Sequence, residues 1–423
     1  MRDVYVIGVG TTRFAKQPEK SVKSLTAETV EKVLKDAGLE KERIEAAWFG
    51  NCGWGVWHDQ HSIRGQVALR PLGIMGISII NVENACATGS TAFHGAWTAV
   101  AAGLYDVALA IGVEKTFYED REKMFWQMGL GVDMERRAEQ FRQMQELGKN
   151  LLSADSFSGD APVADRDKSA FMDVYGGRAR WHMQKYGTTQ RQLAVIASKN
   201  HYHGSLNPNA QYRKEMSVEE VLADKLISFP ITRAMCSPIG DGAAAAILCS
   251  KDFLSKAPDS RPVKILASLL SSGTDRPFEA EDRDASLLLG RKAYAFAGIG
   301  PEDVDIAEVH DASAFGELHE TEALGFCLLG EGGPFAESGA TRLGGRLPVN
   351  TSGGLESKGH PVGATGLSQI HELVTQLRGE AGARQAEGVR IGLSQNGGGF
   401  LGYETATVSI TILQKIGKYI GRV

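Results

Sequence analysis

The chain repeats one pattern of structural elements, and this repeat limits the folds that it can adopt more than any other feature. The pattern is a helix, an Ala-Gly-Leu or Ala-Gly-Ile step, an acidic turn and an apolar strand; it occupies residues 25–50 and again residues 293–310. A strand that leads into a helix of small residues follows each copy, over residues 79–102 and 347–377. Alternating strands and helices of this kind form layered α/β units. We therefore predict two similar α/β halves with mixed five-stranded sheets; a chance likeness between generic strand–helix units is the alternative.

The predicted halves are residues 1–250 and 260–423, and the first contains an insertion at about residues 115–233 that is polar and rich in helical patterns. Long insertions in α/β units commonly carry substrate contacts, so we expect this one to form a helical subdomain over the functional site. Ordinary solvated helical faces are the alternative. The arginines of the insertion that could bind phosphate groups are Arg121, Arg136, Arg137, Arg142, Arg178, Arg180 and Arg191.

Composition excludes several classes of protein. The net charge of −5 over 423 residues argues against nucleic acid as the main partner. No apolar run approaches the roughly 18 residues that a membrane span needs, and the N-terminal residues lead directly into a predicted strand rather than a signal peptide. Five cysteines without metal-type spacing predict a protein of the reducing cytoplasm, with neither disulfides nor a metal site.

Cys86 lies where the apolar strand over residues 76–82, which we expect to be buried, meets the helix that continues to about residue 102. The unpaired N–H groups and the positive end of the helix dipole favour a thiolate at such a position and can lower the pKa of a cysteine. Small residues around it leave room for a ligand. A cysteine that fills a gap between helix and sheet is the structural alternative.

Two histidines in the second half are further candidates. His310 follows the strand over residues 304–309, and the carboxyl ends of strands in such sheets bind ligands. His360 lies in a glycine-rich loop, residues 350–366, that leads into a helix and can bring backbone close to a thioester or phosphate. A single histidine is more often structural than catalytic, but the glycines and proline around His360 favour a functional role.

These motifs resemble those of the thiolase superfamily. The resemblance is carried by the Asn-Ala-Cys-Ala-Thr-Gly-Ser sequence around Cys86, by the Gly-His-Pro-Val-Gly-Ala-Thr-Gly sequence around His360 and by the duplicated halves, and it covers essentially the full chain. It implies duplicated βαβαβαββ halves in a layered αβαβα arrangement, with a loop domain inserted in the first half. His310, where many members have asparagine, resembles the archaeal and sterol-carrier-protein-type branch.

The resemblance also implies roles for individual residues. Cys86 would be the nucleophile that carries the acyl group, and His360 would activate it. The N–H groups of Gly398 and Cys86 would form an oxyanion hole, and Ser237 would lie near the pantetheine of coenzyme A. One departure concerns the second catalytic cysteine of most thiolases, because Gln395 stands at its position and Ala312 stands at the alternative one. His310 is therefore our candidate for the missing acid/base.

The sequence thus predicts a coenzyme A-dependent thiolase that cleaves or forms a 3-oxoacyl-CoA through an acyl-cysteine, with coenzyme A as co-substrate and no tightly bound cofactor. A thiolate, oxyanion donors and a proton donor are what this reaction needs. Alternatives are a decarboxylating condensing enzyme of the ketoacyl-synthase kind, a lipid-transfer or scaffold protein, and a retro-aldolase relative, which would not need the cysteine.

Partners and substrate are predicted less directly. The resemblance implies a homodimer and a small partner subunit with an OB-fold and a zinc ribbon. Four large aromatic side chains, for which core packing is the alternative, could line a pocket for an aryl acyl group: Trp54, Trp57, Phe125 and Trp126. A carboxylate on that group would need a cation, and we expect it among the arginines of residues 121–142.

Overall fold

The architecture is that of a computed structural model, which describes residues 1–140, 142 and 171–417. Part of the predicted insertion, residues 141 and 143–170, and the six C-terminal residues of the second half lie outside the described residues. None of the helices described is both long and apolar enough to cross a membrane.

Eleven strands are present in the described residues. They are β1 (Val4–Thr11), β2 (Ala46–Gly50), β3 (Ser78–Val82), β4 (Val107–Glu114), β5 (Leu226–Ser228), β6 (Ile231–Thr232), β7 (Gly242–Ser250), β8 (Val263–Ser272), β9 (Ile306–Glu308), β10 (Ile391–Leu401) and β11 (Glu404–Lys415).

Residues 137–140 are also helical. Twelve further α-helices lie wholly within the described residues. They are α1 (Val22–Ala37), α2 (Trp54–His58), α3 (Arg64–Leu69), α4 (Thr88–Ala101), α5 (Arg121–Met128), α6 (Phe171–Tyr186), α7 (Gln190–Ser205), α8 (Val218–Ala223), α9 (Ala285–Ala297), α10 (Ala314–Ala323), α11 (Gly332–Glu337) and α12 (Thr365–Arg378).

Nine of the strands form one sheet in the order β3-β2-β4-β7-β1-β8-β11-β10-β9. The five strands from the first half and the four from the second meet where Tyr5 and Val6 pair with Lys264 and Val263. The fifth strand predicted for the second half is reduced to one bridge between Ala307 and Val349. Because a proline has no N–H to donate, Pro348 at this point limits the ladder.

Helices cover both faces of the sheet in layers. Val4 and Val6 belong to the core cluster beneath α4 and α12, whereas Tyr5 and Ile7 belong to the cluster beneath α1, since successive strand residues point to opposite faces. Helix α9 packs on the strands of the second half. This arrangement agrees with the layered α/β fold that the sequence predicts.

The predicted repeat is present as structure. Helix α1 ends at Gly38, which has a left-handed φ of 64°, and a 3₁₀ turn then leads to β2. Helix α9 ends at Gly298, with a φ of 71°, and a 3₁₀ turn leads to β9. Only glycine adopts this conformation readily, so the same residue ends the same helix in both halves.

The two central helices approach each other closely at their N-terminal ends. A Cβ added to Gly89 of α4 would lie 3.0 Å from the backbone nitrogen of Leu367 in α12. The small residues near Cys86 therefore bring the loop that carries His360 against the turn that carries the cysteine. The strand before Cys86 differs from expectation: β3 is an edge strand, so Ser78 and Asn81 are exposed rather than buried.

Candidate active site

A cavity of about 440 Å³ is lined by residues from separate parts of the chain, between residues 52 and 131, 171 and 178, 237 and 239, 310 and 320, and 360 and 405. Its walls contain all three residues predicted to react: Cys86 from the first half, and His310 and His360 from the second. The ligand atoms of these three side chains all lie within 4.8 Å of one another, and the imidazole centroids are 5.2 Å apart. The structure therefore brings together the residues that the sequence singles out.

Cys86 lies in a 3₁₀ turn, Ala85–Ala87, between β3 and α4. Ala85 adopts a left-handed φ of 47°, an unusual conformation for a residue with a Cβ. The backbone N–H groups of Gly399 and of Cys86 itself donate to the sulfur, but burial outweighs them and raises the pKa of Cys86 to about 12. The resting group is thus a thiol that needs a base, contrary to the lowered pKa expected from its position before a helix.

His360 presents a lone pair to the cavity. Its Nδ1 lies 2.7 Å from the hydroxyl of Thr365, and that hydroxyl donates to the carbonyl of Pro361 at 3.1 Å. With the hydroxyl hydrogen donated to Pro361, we assign the ring the tautomer in which Nδ1 donates to Thr365 and Nε2 carries no hydrogen. Burial, with the charges of neighbouring side chains, lowers the pKa of His360 well below its usual value. A neutral imidazole with a free Nε2 suits a base for the Cys86 thiol.

His310 presents the opposite polarity. The side-chain amide of Asn396 donates to His310 Nδ1 at 2.9 Å, and the amide oxygen accepts from the hydroxyl of Ser90, also at 2.9 Å. This chain of bonds leaves the ring hydrogen on Nε2. Burial lowers the pKa of His310 to about 4, so the ring is neutral at pH 7. It is therefore a hydrogen-bond donor.

Gln395 and Ala312 stand at the two positions where the resemblance places a second catalytic cysteine. Gln395 points away from the cavity: its Oε1 accepts the backbone N–H of His310 at 3.0 Å, and its Nε2 donates to Ser286 at 3.1 Å. Ala312 and Ser237 line the cavity, and the Ser237 N–H donates to the carbonyl of Ala312.

Gly398 packs directly on the turn of the nucleophile. A Cβ at this position would lie 2.6 Å from the backbone nitrogen of Ala87. Gly397, Gly398 and Gly399 all line the cavity, and the N–H that reaches the sulfur is that of Gly399.

The aromatic and cationic residues that line the cavity differ from those predicted. None of Trp54, Trp57, Phe125 and Trp126 lines the cavity, and Trp57 instead stacks on Tyr118 with centroids 3.6 Å apart. The large rings that do line it are Phe171, Tyr175, Phe315 and Phe400. The arginines between residues 121 and 142 also lie outside the wall, whereas Arg64 and Arg178 are part of it.

Cys86, His310 and His360 are also the one group of side chains in the described ranges that could hold a metal ion. Sulfur and imidazole are ligands that zinc accepts. The sequence predicts no metal site, and the polarity of the two rings favours proton transfer and hydrogen bonding.

Sequence reasoning missed the residues that set this polarity, namely Ser90, Thr365 and Asn396. Thr365 follows His360 by five residues at the start of α12, so its contact with the ring depends on the loop conformation. Asn396 directly follows Gln395 in β10 and points to the other face of the strand. The sequence did contain one signal for Asn396. Neighbouring residues of a strand point to opposite faces, so if Gln395 points away from the site, Asn396 points towards it.

Family models match both halves of the chain. Residues 4–252 match the thiolase N-terminal domain, and residues 284–411 match the C-terminal domain-like model of thiolases. The chain belongs to the thiolase family and is an acyltransferase of the thiolase type.

Relatives of the archaeal and sterol-carrier branch are similar along most of the chain. An acetyl-CoA acetyltransferase of Methanothermobacter thermautotrophicus is 38% identical, over 97% of this chain and 99% of that protein. Human sterol carrier protein 2 is 38% identical over 94% of this chain and 70% of its own length. The benzoylsuccinyl-CoA thiolase subunit BbsB of Thauera aromatica is 32% identical over 94% of this chain and 95% of that subunit.

Solved structures share the fold. The Ltp2–ChsH2(DUF35) aldolase superposes with a TM-score of 0.75 at 23% identity, covering 99% of each chain. The Acat5 thiolase of Ascaris suum, solved in complex with coenzyme A, has a TM-score of 0.65 at 18% identity, covering 98% of this chain and 100% of that one.

Proposed function

We propose that the chain catalyses the coenzyme A-dependent cleavage, or the reverse Claisen condensation, of a 3-oxoacyl-CoA through an acyl-Cys86 intermediate. The observation that carries this proposal is the meeting of the half-buried Cys86 thiol with the imidazoles of His310 and His360, whose nitrogens lie within 4.8 Å of the sulfur and of each other. These groups are a nucleophile, its base and an oxyanion donor. The place of Cys86 beside both histidines favours this function over that of a retro-aldolase or a scaffold, neither of which needs the cysteine.

In the first half-reaction, His360 Nε2 takes the proton from Cys86, and the thiolate attacks the C3 ketone. The C2–C3 bond then breaks, the acyl group remains on the sulfur, and the electron pair moves into an enolate of the departing thioester. The proton on His360 returns to C2, while the Nε2–H of His310 holds the enolate oxygen. We assign this proton to His360 rather than to His310, the acid/base candidate from the sequence, because a neutral His310 that lost its Nε2 hydrogen would become an imidazolate.

In the second half-reaction, His360 takes the proton of the coenzyme A thiol. The thiolate attacks the acyl-Cys86 carbonyl, and the tetrahedral oxygen is held by the backbone N–H groups around the sulfur, where we place Gly398 or Gly399 with Cys86. The Cys86 sulfur then leaves and recovers its proton from His360. Ser237, on the cavity wall, is the residue that we place beside the pantetheine.

The acyl group that we propose is larger than acetyl and includes aryl groups. The four rings along the cavity support this choice, since aromatic walls favour apolar, ring-shaped ligands. A relative named for benzoylsuccinyl-CoA is consistent with it.

We also propose a homodimer in the cytoplasm with a small OB-fold, zinc-ribbon subunit that helps to receive coenzyme A, and two structural units, residues 1–250 and 260–423. The presence of a DUF35 component in a similar structure supports the partner.

The acyl-enzyme is tested by mass spectrometry after incubation with a panel of acyl-CoAs. We expect an acyl adduct on the peptide that contains Cys86, and none in Cys86→Ala, which should fold normally because small residues surround the position. Cys52 also lines the cavity and provides the matched control, Cys52→Ala, which should still be acylated. Label on any other cysteine in the wild type would contradict the assignment.

Half-reaction kinetics separate the two histidines. His360→Ala should slow both acylation by acyl-CoA and carbon–carbon cleavage, because one base serves both. His310→Ala should chiefly slow the step that forms the enolate, by about 10²–10³-fold for a lost oxyanion donor. Equal defects in both steps for His310→Ala would show that its role is not specific to the enolate.

A further inference from the structure

The cavity contains a guanidinium that the proposed chemistry does not use. Arg178 lies on the cavity wall and is only 7% exposed. Among the described residues its single polar contact is from Nη2 to His319 Nε2, at 3.0 Å, and no carboxylate pairs with it. His319 Nε2 also lies 3.1 Å from Asp284 Oδ2. A ring nitrogen that donates to Asp284 cannot accept from Arg178, so with this tautomer the donors of Arg178 have no acceptor among the described residues.

The carboxylates of the neighbouring ion pairs are taken by other cations, so Arg178 has no salt bridge among the described residues. Arg276 pairs with both Asp284 and Glu404. Burial and Arg178 act to lower the pKa of His319, but the pair with Asp284 outweighs them and raises it, which favours the cationic ring. These two cations balance the two carboxylates, and the further acidic group close to Arg178 is Glu320, which makes no hydrogen bond or ion pair with it in the described structure. A buried, unpaired charge is costly unless a ligand compensates it.

A second buried polar group lies on the same wall. Glu320 is 7% exposed, and a hydrogen bond with Ser286 acts on its carboxyl group. Its Oε2 has no hydrogen-bond partner among the described residues. Burial raises the pKa of Glu320 to about 7, so near neutral pH much of this group is a carboxylic acid that can donate a hydrogen bond.

The position of this pair relative to Cys86 follows from helix geometry. Phe171, Tyr175 and Arg178 line the cavity along one face of α6. Phe171 lies at the reactive end: its ring and the Cβ of Ala85 both border Gly131. Seven residues of helix rise separate Phe171 from Arg178, or roughly 10 Å. His319 and Glu320 reach the same region from α10.

We propose that Arg178 and Glu320 form a subsite for a carboxylate on the acyl group, so that the enzyme acts on CoA thioesters of 3-oxo dicarboxylic acids. The inference rests on the proposed function and names its substrate class. The guanidinium donates to the carboxylate oxygens, the protonated Glu320 donates a further hydrogen bond, and the aromatic rings pack against the chain between the carboxylate and the reacting carbonyl.

Turnover of matched substrate pairs tests this subsite. The pairs are 3-oxoadipyl-CoA with 3-oxohexanoyl-CoA and 3-oxosuberyl-CoA with 3-oxooctanoyl-CoA, which differ only in a terminal carboxylate. The full chain is assayed with any subunit that co-purifies. We expect kcat/KM to favour the acidic member of at least one pair by about 10²-fold, since a site with buried polar groups rejects the analogue that leaves them unpaired.

Variants of Arg178 then assign the preference. Arg178→Gln should lose about 10²-fold in kcat/KM on the acidic substrate and little on the neutral one, whereas Arg178→Lys should retain part of the preference. Arg180→Gln, two residues along α6 and outside the cavity wall, is the control and should leave the ratio unchanged. A wild-type preference for the neutral substrates, or an unchanged ratio in Arg178→Gln, would overturn the inference.

Binding to Cys86→Ala separates this inference from the proposed reaction. Suberyl-CoA and octanoyl-CoA lack the 3-oxo group and cannot be cleaved, so calorimetry measures the carboxylate preference alone. Tighter binding of suberyl-CoA, lost in the Cys86→Ala, Arg178→Gln double variant, supports the subsite even if no substrate acylates Cys86. Acylation of Cys86 without any binding preference would leave the reaction standing and remove the subsite.

Discussion

At the scale of single residues, the site contains two histidines of opposite polarity. His360 donates to Thr365 and keeps a lone pair towards the thiol, whereas His310 accepts from Asn396 and keeps a hydrogen towards the cavity. Two rings of the same type therefore perform different tasks because their hydrogen-bond partners differ. No residue pattern in the sequence specifies these partners, since Ser90 and Asn396 are 306 positions apart.

The pH dependence of turnover should reflect these environments. Both rings act in the neutral form, and burial lowers the pKa of His310 to about 4 and that of His360 well below its usual value. The active form is therefore present above these lowered values and is lost only as the pH falls through them. On substrates without a terminal carboxylate, which do not engage Glu320, we expect kcat/KM to stay level between pH 6 and pH 7, without the decline near pH 6.5 that an ordinary histidine would cause. A decline centred at pH 6.5 would contradict this environment.

Replacement of the amide beside His310 should change its polarity. In Asn396→Asp, a carboxylate can only accept from Nδ1, so the ring hydrogen moves away from the cavity. We expect a loss of about 10²–10³-fold in kcat at neutral pH, typical of a missing oxyanion donor. Ser90→Ala is the milder comparison, because it leaves the amide of Asn396 in place. Wild-type kcat in Asn396→Asp would mean that the Nε2 hydrogen has no role.

At the scale of elements, the site depends on close contacts between segments of different halves. Gly112 of β4 faces the loop of His360, and a Cβ at that position would overlap the carbonyl oxygen of Gly363. The carboxylate of Glu114 accepts the N–H of Gly363 and those of Cys52 and Gly53. The last residues of β4 thus hold the histidine loop near the nucleophile.

Gly112→Ala should therefore displace the His360 loop. We expect a loss of about 1–3 kcal/mol in the free energy of unfolding, the usual effect of overpacking, and a lower kcat. Urea denaturation and acylation kinetics measure the two effects. Gly290→Ala is the matched control, since its Cβ would make only ordinary contacts in α9 and should be neutral or stabilising. Normal stability and kcat in Gly112→Ala would show that the loop can move without consequence.

The elements also show what the sequence could predict. The repeated helix, glycine and strand were predictable because glycine and hydrophobic periodicity act locally. The lining of the cavity was not, because the face that α6 turns to the site depends on its packing against α10 and β10. Arg178 and Phe171 were therefore indistinguishable in advance from Arg121 and Trp126.

At the scale of the whole molecule, the sheet has an open edge next to the nucleophile. In the described structure β3 pairs with β2 on one side only, and its chain leads within four residues to Cys86. Exposed edges of this kind are ready to pair with another chain. We therefore propose that the homodimer forms along the free edge of β3.

Light scattering should give about twice the mass of the single chain at micromolar concentration, as expected for a closed twofold assembly. Amide hydrogen exchange provides the local check: residues 78–82 should be protected at that concentration and should exchange faster on dilution. The buried strand β7 is the internal reference, whose protection should not change. A monodisperse monomer with a fast-exchanging β3 would contradict the assembly.

The left-handed turn at Ala85 has a consequence for how the protein can evolve. Glycine adopts a φ of 47° at little cost, whereas a residue with a Cβ gives up about 1–2 kcal/mol there. A population of variants selected only for folding should therefore accumulate glycine at position 85. Selection for turnover should keep alanine, because its Cβ restricts the turn that holds the sulfur. The difference in the free energy of unfolding between the two selected pools would measure how much stability the protein loses to hold the Cys86 sulfur in place.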